Sequence, residues 1–376
     1  MTRLLLVSHY FPPHMGGIEN VVAGEARHLV KAGHDVTVLT TSPGGRAGTT
    51  LSTEGYVVVR MPTWNGIERA TGVPFPLVAP WSVLRVIGLI RRADVVHVHD
   101  LLYVTTWLAA VLARLLRRPY VLTQHVGLVA HPSRAVESAQ RLVHATIGRV
   151  VVAGASAVVY LNGAVAAFLR GVGARPDQLR FVINGTDTDM FHPADPSSRA
   201  ALRASFDLQE TGVLALFAGR FVPKKGYDVV LGAAGEGYTL VLAGGEPPEG
   251  WTERPDVVVA GRMPPERLAD LYRACDVFVL PSVAEGFPLT VQEAMATGLP
   301  IVTTDDPGYA EYGLDRDLVA FVEPTVDAVR SALLRLAGDP QLRARMGAYS
   351  TDVANRRFAW SEHARTLAAL YAEAQR

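Results

Sequence analysis

The sequence predicts an α/β protein built from two doubly wound domains. Three observations predict it. Short apolar, β-branched runs alternate with helical stretches through residues 4–183. That is the pattern of parallel strands buried on both faces and joined by helices. The same alternation restarts at residue 213 and continues to residue 374. Finally, 376 residues exceed what a single hydrophobic core usually serves.

Taken in order, the strand candidates of the first half are residues 4–8, 35–40, 56–60, 94–99, 120–124, 157–161 and 179–183. Helical stretches lie between most of them, for example 18–31 and 103–117. The second half offers strands at 213–218, 239–243, 256–260, 276–280, 300–303 and 318–322, and helices at 265–274, 289–297, 326–337 and 361–374. Gly, Asp and Pro cluster at residues 184–198, which marks the join, so the domains are expected at 1–187 and 188–360.

Composition narrows the class. Hydrophobic residues make up 49% and charged residues 19%, so a large core is available and disorder is not expected. The apolar run after Met1 ends at Ser8, too short for a signal-peptide core, and no spanning helix is expected. A cytoplasmic enzyme is the expectation. The single cysteine, Cys275, excludes an internal disulfide and a cysteine-based metal site. Net charge is zero, so nothing points to nucleic acid. Residues 1–195 hold 18 Lys+Arg against 12 Asp+Glu, and residues 196–376 hold 18 against 24. The positive half contains residues 81–92, WSVLRVIGLIRR, a segment suited to weak peripheral contact with an anionic membrane. Lysine is scarce: Lys31, Lys224 and Lys225 are the only three among 36 basic residues, and two of them share one glycine-flanked loop.

Ligands of doubly wound sheets bind beyond the carboxyl ends of the strands. The unusual residues fall there: HYFPPHMGG at 9–17, Asp100, His125 and Gly127 in the first half, and 219–226, Gly244-Gly245, Gly261-Arg262 and 282–286 in the second. Two such crests facing each other would form an interdomain cleft. In PSVAEGFPLTVQEAMATGLPIV, residues 281–302, Glu285 precedes a helix with Pro288 as its first residue, and Glu293 lies in the early turns. Both carboxylates can accept hydrogen bonds from hydroxyls, and the free amides of the helix start suit an anion. Arg220 and Lys225 form a basic turn able to neutralise a phosphate. His97 and His99 are assigned to opposite faces of one strand, which argues against a shared metal site; His97 is read as a packed core histidine. GGIEN at 16–20 lacks the spaced glycines of the dinucleotide fingerprint.

The Glu-x7-Glu segment resembles the signature of retaining GT-B glycosyltransferases, the family 4-like, group 1 type. GGIEN at 16–20, VVHVH at 95–99, TQH at 123–125, NGTD at 184–187 and AGRFVPKKG at 218–226 resemble family segments in the same order, as far as FAWSEHA at 358–364. The resemblance implies a GT-B fold whose last helix, 361–376, crosses back to the first domain. It implies sugar transfer from a nucleoside diphosphate sugar, UDP-sugar ahead of GDP-mannose, to a hydroxyl acceptor of unidentified kind: glycan, lipid-linked or small molecule. It implies that Arg220 and Lys225 clamp the diphosphate, that Gly16 and Gly17 let bare backbone approach it, and that His125 lies beside the donor sugar. Glu285 then meets the sugar hydroxyls together with Phe287, Pro288 and Leu289, and Glu293 meets the ribose. Arg262 and Met263 are the expected base contact. No cofactor and no metal are expected, because Arg220 and Lys225 supply the neutralising charge. Asp187-Thr188-Asp189 resembles a metal motif of another glycosyltransferase fold, but its place in the join makes it structural. The family often has glycine where this chain has Pro288, and residues 245–256 are short for the usual helix. A non-hydrolysing UDP-sugar 2-epimerase of the same architecture is the alternative. An NAD-dependent dehydrogenase and a non-catalytic sugar-binding scaffold fit less well.

Overall fold

The apolar runs become parallel strands covered on both faces. In the structure, a computed structural model describing residues 1–14, 16–42, 47–71, 75–128, 133–195, 197–247, 251–283 and 287–376, the chain divides into two compact units. One is Met1–Gly185 with Trp360–Arg376, the other Thr186–Ala359.

The first unit holds β1 (Arg3–Val7), β2 (Asp35–Ser42), β3 (Gly48–Leu51), β4 (Val57–Trp64), β5 (Leu77–Val78), β6 (Val95–His99), β7 (Tyr120–Gln124), β8 (Ala157–Tyr160) and β9 (Leu179–Phe181). Their order is β3-β4-β2-β1-β6-β7-β8-β9, with β5 paired to β4. Only β3 and β5 run antiparallel to β4. Strand order reverses between β1 and β6, which makes their carboxyl ends the switch point where ligands of such sheets bind. β1 shows how the sheet is covered. Leu5 and Val7 face a core with Val86, Ile90 and Ala109. Leu4 and Leu6 face the other core with Val22, Leu367 and Tyr371. Successive residues of a strand point to opposite faces, so five residues serve two cores.

The helix Trp360–Ala374 belongs to this unit and packs on the helix Gly17–Lys31. Its anchor is Trp360. A Cβ on Gly24 would lie 2.1 Å from the indole, and one on Gly185 2.2 Å from it, so the ring fits only because both neighbours lack a side chain.

The second unit holds β10 (Leu214–Ala218), β11 (Thr239–Ala243), β12 (Val257–Gly261), β13 (Val277–Leu280), β14 (Ile301–Thr304) and β15 (Ala320–Val322). They form an all-parallel sheet in the order β12-β11-β10-β13-β14-β15, which reverses between β10 and β13.

Some elements are not named from the sequence, among them β3, β5 and the helix Pro340–Val353. β3 is an almost wholly exposed GTTL segment and β5 has two residues, so neither carries an apolar run. The helix Pro340–Val353 buries Gly347 and Ser350 beside Leu342, Met346 and Val353, which blurs its apolar period. The join was placed at 187/188 from sequence; the units part between Gly185 and Thr186.

Candidate active site

At the first unit's switch point the backbone leaves β1 through Ser8 and His9, both buried. The His9 ring stacks on Tyr103 at 3.5 Å and 6°. Burial pushes its pKa down to about 3, so the imidazole is neutral. Gly16 precedes the helix Gly17–Lys31 with extended backbone and no side-chain cap. A Cβ there would meet the Glu19 carboxylate at 2.1 Å, whereas Gly17 has nothing within 4 Å of its Cβ position. A side chain at Gly16 would thus displace the Glu19 carboxylate, and Gly17 leaves the amide end open.

β6 ends in His99, followed by Asp100 with φ of 58°. Asp100 Oδ1 accepts the His125 backbone N–H at 3.0 Å. Burial pushes the Asp100 pKa up to about 6, against the backbone amides of His125 and Val126. His125 follows β7 and is buried; burial pushes its pKa down to about 3 as well. Its Nε2 lies 3.1 Å from His99 Nδ1.

The assignment of His97 and His99 to opposite faces is corrected here. Residues two apart on a strand share a face, and the two rings lie 4.3 Å apart. Ligand atoms of His97, His99 and Glu25 fall within 4.8 Å of one another. His97 is a core histidine, fully buried, with its ring nitrogens at 2.8 Å from the Tyr371 hydroxyl and 2.7 Å from that of Thr123. Sequence reasoning missed His9, Glu25 and His363. For Glu25 a signal existed: it stands three residues after Val22 and four before Leu29, on the apolar stripe of its helix.

In the second unit the loop after β10 turns through a short 3₁₀ segment, Pro223–Lys225, into Gly226 with φ of 72°. A Cβ on Gly226 would lie 2.4 Å from the Pro281 carbonyl oxygen. Val283 N–H donates to the Lys224 carbonyl at 3.0 Å. The basic loop is thus stitched to the end of β13, at the second switch point. Arg220 and Lys224 are exposed and Lys225 is half-buried, its stem beside Gly219. Gly244, with φ of 107°, lets β11 end against the Gly219 backbone, where a Cβ would lie 2.5 Å from the carbonyl oxygen.

The helix here is Leu289–Ala296, and Pro288 precedes it as cap with extended ψ of 139°, not as its first residue. Its carbonyl accepts from Val291 N–H at 3.0 Å. Glu293 is partly exposed, and its carboxylate accepts the Tyr272 hydroxyl at 3.1 Å. Burial pushes its pKa up to about 7, and the Tyr272 hydrogen bond only partly offsets this. Phe287 is buried, with its ring centroid 4.1 Å from that of Tyr312 and 5.3 Å from that of Phe358, so its side chain is committed to the core. Arg262 is exposed and Met263 half-buried just after β12. Glu285 lies outside the described residues. Asp187 caps its own turn, accepting from Asp189 and Met190 N–H at 3.2 and 3.0 Å.

Both switch points thus end in residues suited to polar ligands. Residues 16–185 match the glycosyl transferase 4-like domain, and residues 198–353 match glycosyl transferases group 1. The D-inositol 3-phosphate glycosyltransferase of Acidothermus cellulolyticus is 28% identical, covering 96% of this chain and 86% of its own length. The GDP-mannose-dependent alpha-(1-6)-phosphatidylinositol monomannoside mannosyltransferase of Mycolicibacterium smegmatis is 28% identical, covering 98% and 97%. The solved structure of Anabaena HepE in complex with UDP and glucose matches with a TM-score of 0.73 at 18% identity, covering 99% of this chain and all of that one. The fold is GT-B, and the epimerase alternative finds no support in these matches. The chain belongs to the group 1 glycosyltransferases with a glycosyl transferase 4-like N-terminal domain, and it is a glycosyltransferase enzyme.

Proposed function

We propose that the enzyme moves a sugar from a nucleoside diphosphate donor to a hydroxyl acceptor with retention at the anomeric carbon. The observation that carries this reading is the basic loop 219–226, held at the second switch point by Gly226, Gly244 and the Val283–Lys224 hydrogen bond. In this reading Arg220 and Lys225 meet the diphosphate. As the bond from the anomeric carbon to the phosphate oxygen breaks, charge grows on the leaving group, and fixed cations stabilise it without proton transfer. The acceptor hydroxyl attacks from the same side and gives its proton to the departing phosphate oxygen. The Gly16 and Gly17 backbone also meets phosphate, Glu285 and residues 287–289 the sugar, Glu293 the ribose, and Arg262–Met263 the base. His125, neutral at physiological pH, lies beside the sugar. No metal takes part.

The Mycolicibacterium smegmatis relative is named for GDP-mannose and the Anabaena HepE structure holds UDP, so the base is the open choice; a UDP-sugar is placed first. The site of action is the cytoplasm. Among the described residues no helix is long and apolar enough to cross a membrane. Weak peripheral contact would use the exposed Trp81, Leu84, Arg85, Arg91 and Arg92 of the helix at Ser82–Arg92; co-sedimentation with anionic vesicles at low salt tests it.

The main test screens UDP-, GDP- and ADP-sugars for donor hydrolysis and transfer, reading product anomers by NMR. Retained configuration with one nucleotide class supports the proposal. Inverted product, or conversion of the free donor into its epimer, sinks it.

A further inference from the structure

Behind His125, entirely within the first unit, lies a chain of buried ionisable groups. Glu25 and His99 are buried to 1% and 0% exposure, and His363 to 5%. His363 Nδ1 lies 2.6 Å from the Ile183 carbonyl oxygen, and its Nε2 lies 3.1 Å from Glu25 Oε1. Glu25 Oε2 faces His99 Nε2 at 3.3 Å. This is an ion-pair approach, and neither of those two fully buried atoms has a hydrogen-bond partner. His99 Nδ1 then meets His125 Nε2 at 3.1 Å.

The protons along this chain can be placed by elimination, since a carbonyl oxygen only accepts. His363 Nδ1 must carry hydrogen to donate to Ile183. One proton lies between His363 Nε2 and Glu25 Oε1, whichever of the two owns it. Glu25 Oε2 is left as an acceptor only, so His99 must carry its hydrogen on Nε2. With His99 a neutral imidazole its Nδ1 is a lone pair, and His125 donates to it from Nε2; an imidazolium His99 would instead donate from Nδ1 and reverse the His125 tautomer.

We propose that Glu25 is a positioning residue: through His99 it fixes His125 as the Nε2–H tautomer, so that His125 Nδ1 is offered to the ligand as an acceptor and never as a donor. A buried carboxylate setting the tautomer of a working imidazole is an established device of catalysis. Here the carboxylate acts through one intervening ring. An acceptor at His125 Nδ1 selects a hydroxyl of the donor sugar and disfavours a bare oxyanion at that point. The same cluster has the spacing of a metal site, but His97 faces the hydroxyls of Tyr371 and Thr123 with its two nitrogens and has none to spare.

The functional half of this proposal rests on the placement of His125 at the sugar; the tautomer half does not. Long-range proton–nitrogen NMR of the full chain, labelled with ¹⁵N-histidine, reads tautomers directly, with His125 assigned by the signal lost in His125→Asn. The wild type at pH 7 should show both His99 and His125 protonated at Nε2. Glu25→Gln should keep this pattern, because its amide oxygen still accepts from His99 while its NH₂ donates to a neutral His363. Glu25→Leu should shift His125 toward Nδ1–H and lower kcat for donor turnover at least about tenfold, with KM little changed. Wild-type His125 protonated at Nδ1, or an unshifted His125 in a folded Glu25→Leu, overturns the proposal. If Glu25→Leu does not fold, the wild-type spectrum decides. The expected tautomers with kcat unchanged in Glu25→Leu uphold the relay and overturn instead the placement of His125 at the sugar.

Discussion

The two sheets share one strand logic, yet their switch points carry opposite chemistry. Ten of the eleven histidines lie in the sequence of the first unit, and His9, His97, His99 and His125 are buried at or beside the ends of β1, β6 and β7. The second unit presents exposed Arg220 and Lys224 and half-buried Lys225, on a loop closed by glycines. The difference teaches what each chemistry requires. An imidazole stays neutral when desolvated, so the first site is built inward as a packed network. A cation stays affordable in water, so the second site is built outward, and its precision comes from backbone contact.

The comparison has a thermodynamic edge. In the unfolded chain His9 and His125 take up a proton below about pH 6.5, whereas in the native unit burial holds both at about 3. Unfolding therefore binds protons, and stability present above pH 6.5 is lost as pH falls toward 3. Each shift corresponds to on the order of 4 kcal/mol. Asp100, raised to about 6, works the other way, losing its contribution as pH rises from about 4 to 6; two larger histidine shifts outweigh it. Peptide-resolved hydrogen exchange at pH 7 and pH 5 should show β6 and β7 losing protection while β10 and β13 keep theirs. Equal loss in both units would erase the contrast.

Glu293 sharpens it with the opposite sign. Its pKa rises from about 4.5 unfolded to about 7 in the native state, through burial. The native state keeps a proton that the unfolded chain releases, so this contribution is whole below pH 4.5 and lost as pH rises through 7. Glu293→Gln should therefore stabilise the protein at pH 8 by at most about 3 kcal/mol and leave it unchanged at pH 4. Thermal melts at the two pH values check this. A gain of equal size at both would remove burial as the cause.

The next effect is kinetic. Arg220→Ala should lower turnover about a hundredfold, or roughly 2.7 kcal/mol, as loss of a charge partner in the transition state does. Because Arg220 is exposed, melts should be unaltered. Near-normal steady-state turnover would take the clamp out of the reading and leave the second switch point without its proposed task.

How much of this was legible follows from the same contrast. The strands were legible because parallel, doubly covered strands read as unbroken apolar runs: 120–124 and 239–243 were placed to the residue. The basic loop was legible because two of three lysines and their glycines are adjacent in sequence. The histidine network was not. It joins Glu25, His97, His99, His125, His363 and Tyr371 from three separate elements and the segment after β7, and no local spacing announces it. Reading His97 and His99 as back to back hid it further, although the two-residue period alone puts them on one face. Pro288 was off by one position, an ordinary uncertainty at a helix end.

The smallest expected effect is none at all: turnover should survive EDTA. In the second unit the diphosphate would meet the cations Arg220 and Lys225, which supply the positive charge a divalent ion would bring. In the first unit the only group of three or more metal-ligating side chains found among the described residues is Glu25, His97 and His99. Two of these already have roles that metal would disrupt. His97 would give up its hydroxyl partners, and His99 would turn its Nε2 from donor to ligand. Metal there would replace the proton that ties His99 to Glu25, and the histidine NMR signals would move on chelation. Unchanged turnover and an unchanged histidine spectrum after EDTA are thus one expectation with two readouts. Lost activity with a fixed spectrum, restored by magnesium or manganese, would put the ion at the diphosphate. A shifted spectrum would put it among the histidines, and the contrast between a proton-wired unit and a charge-bearing one would have to be redrawn.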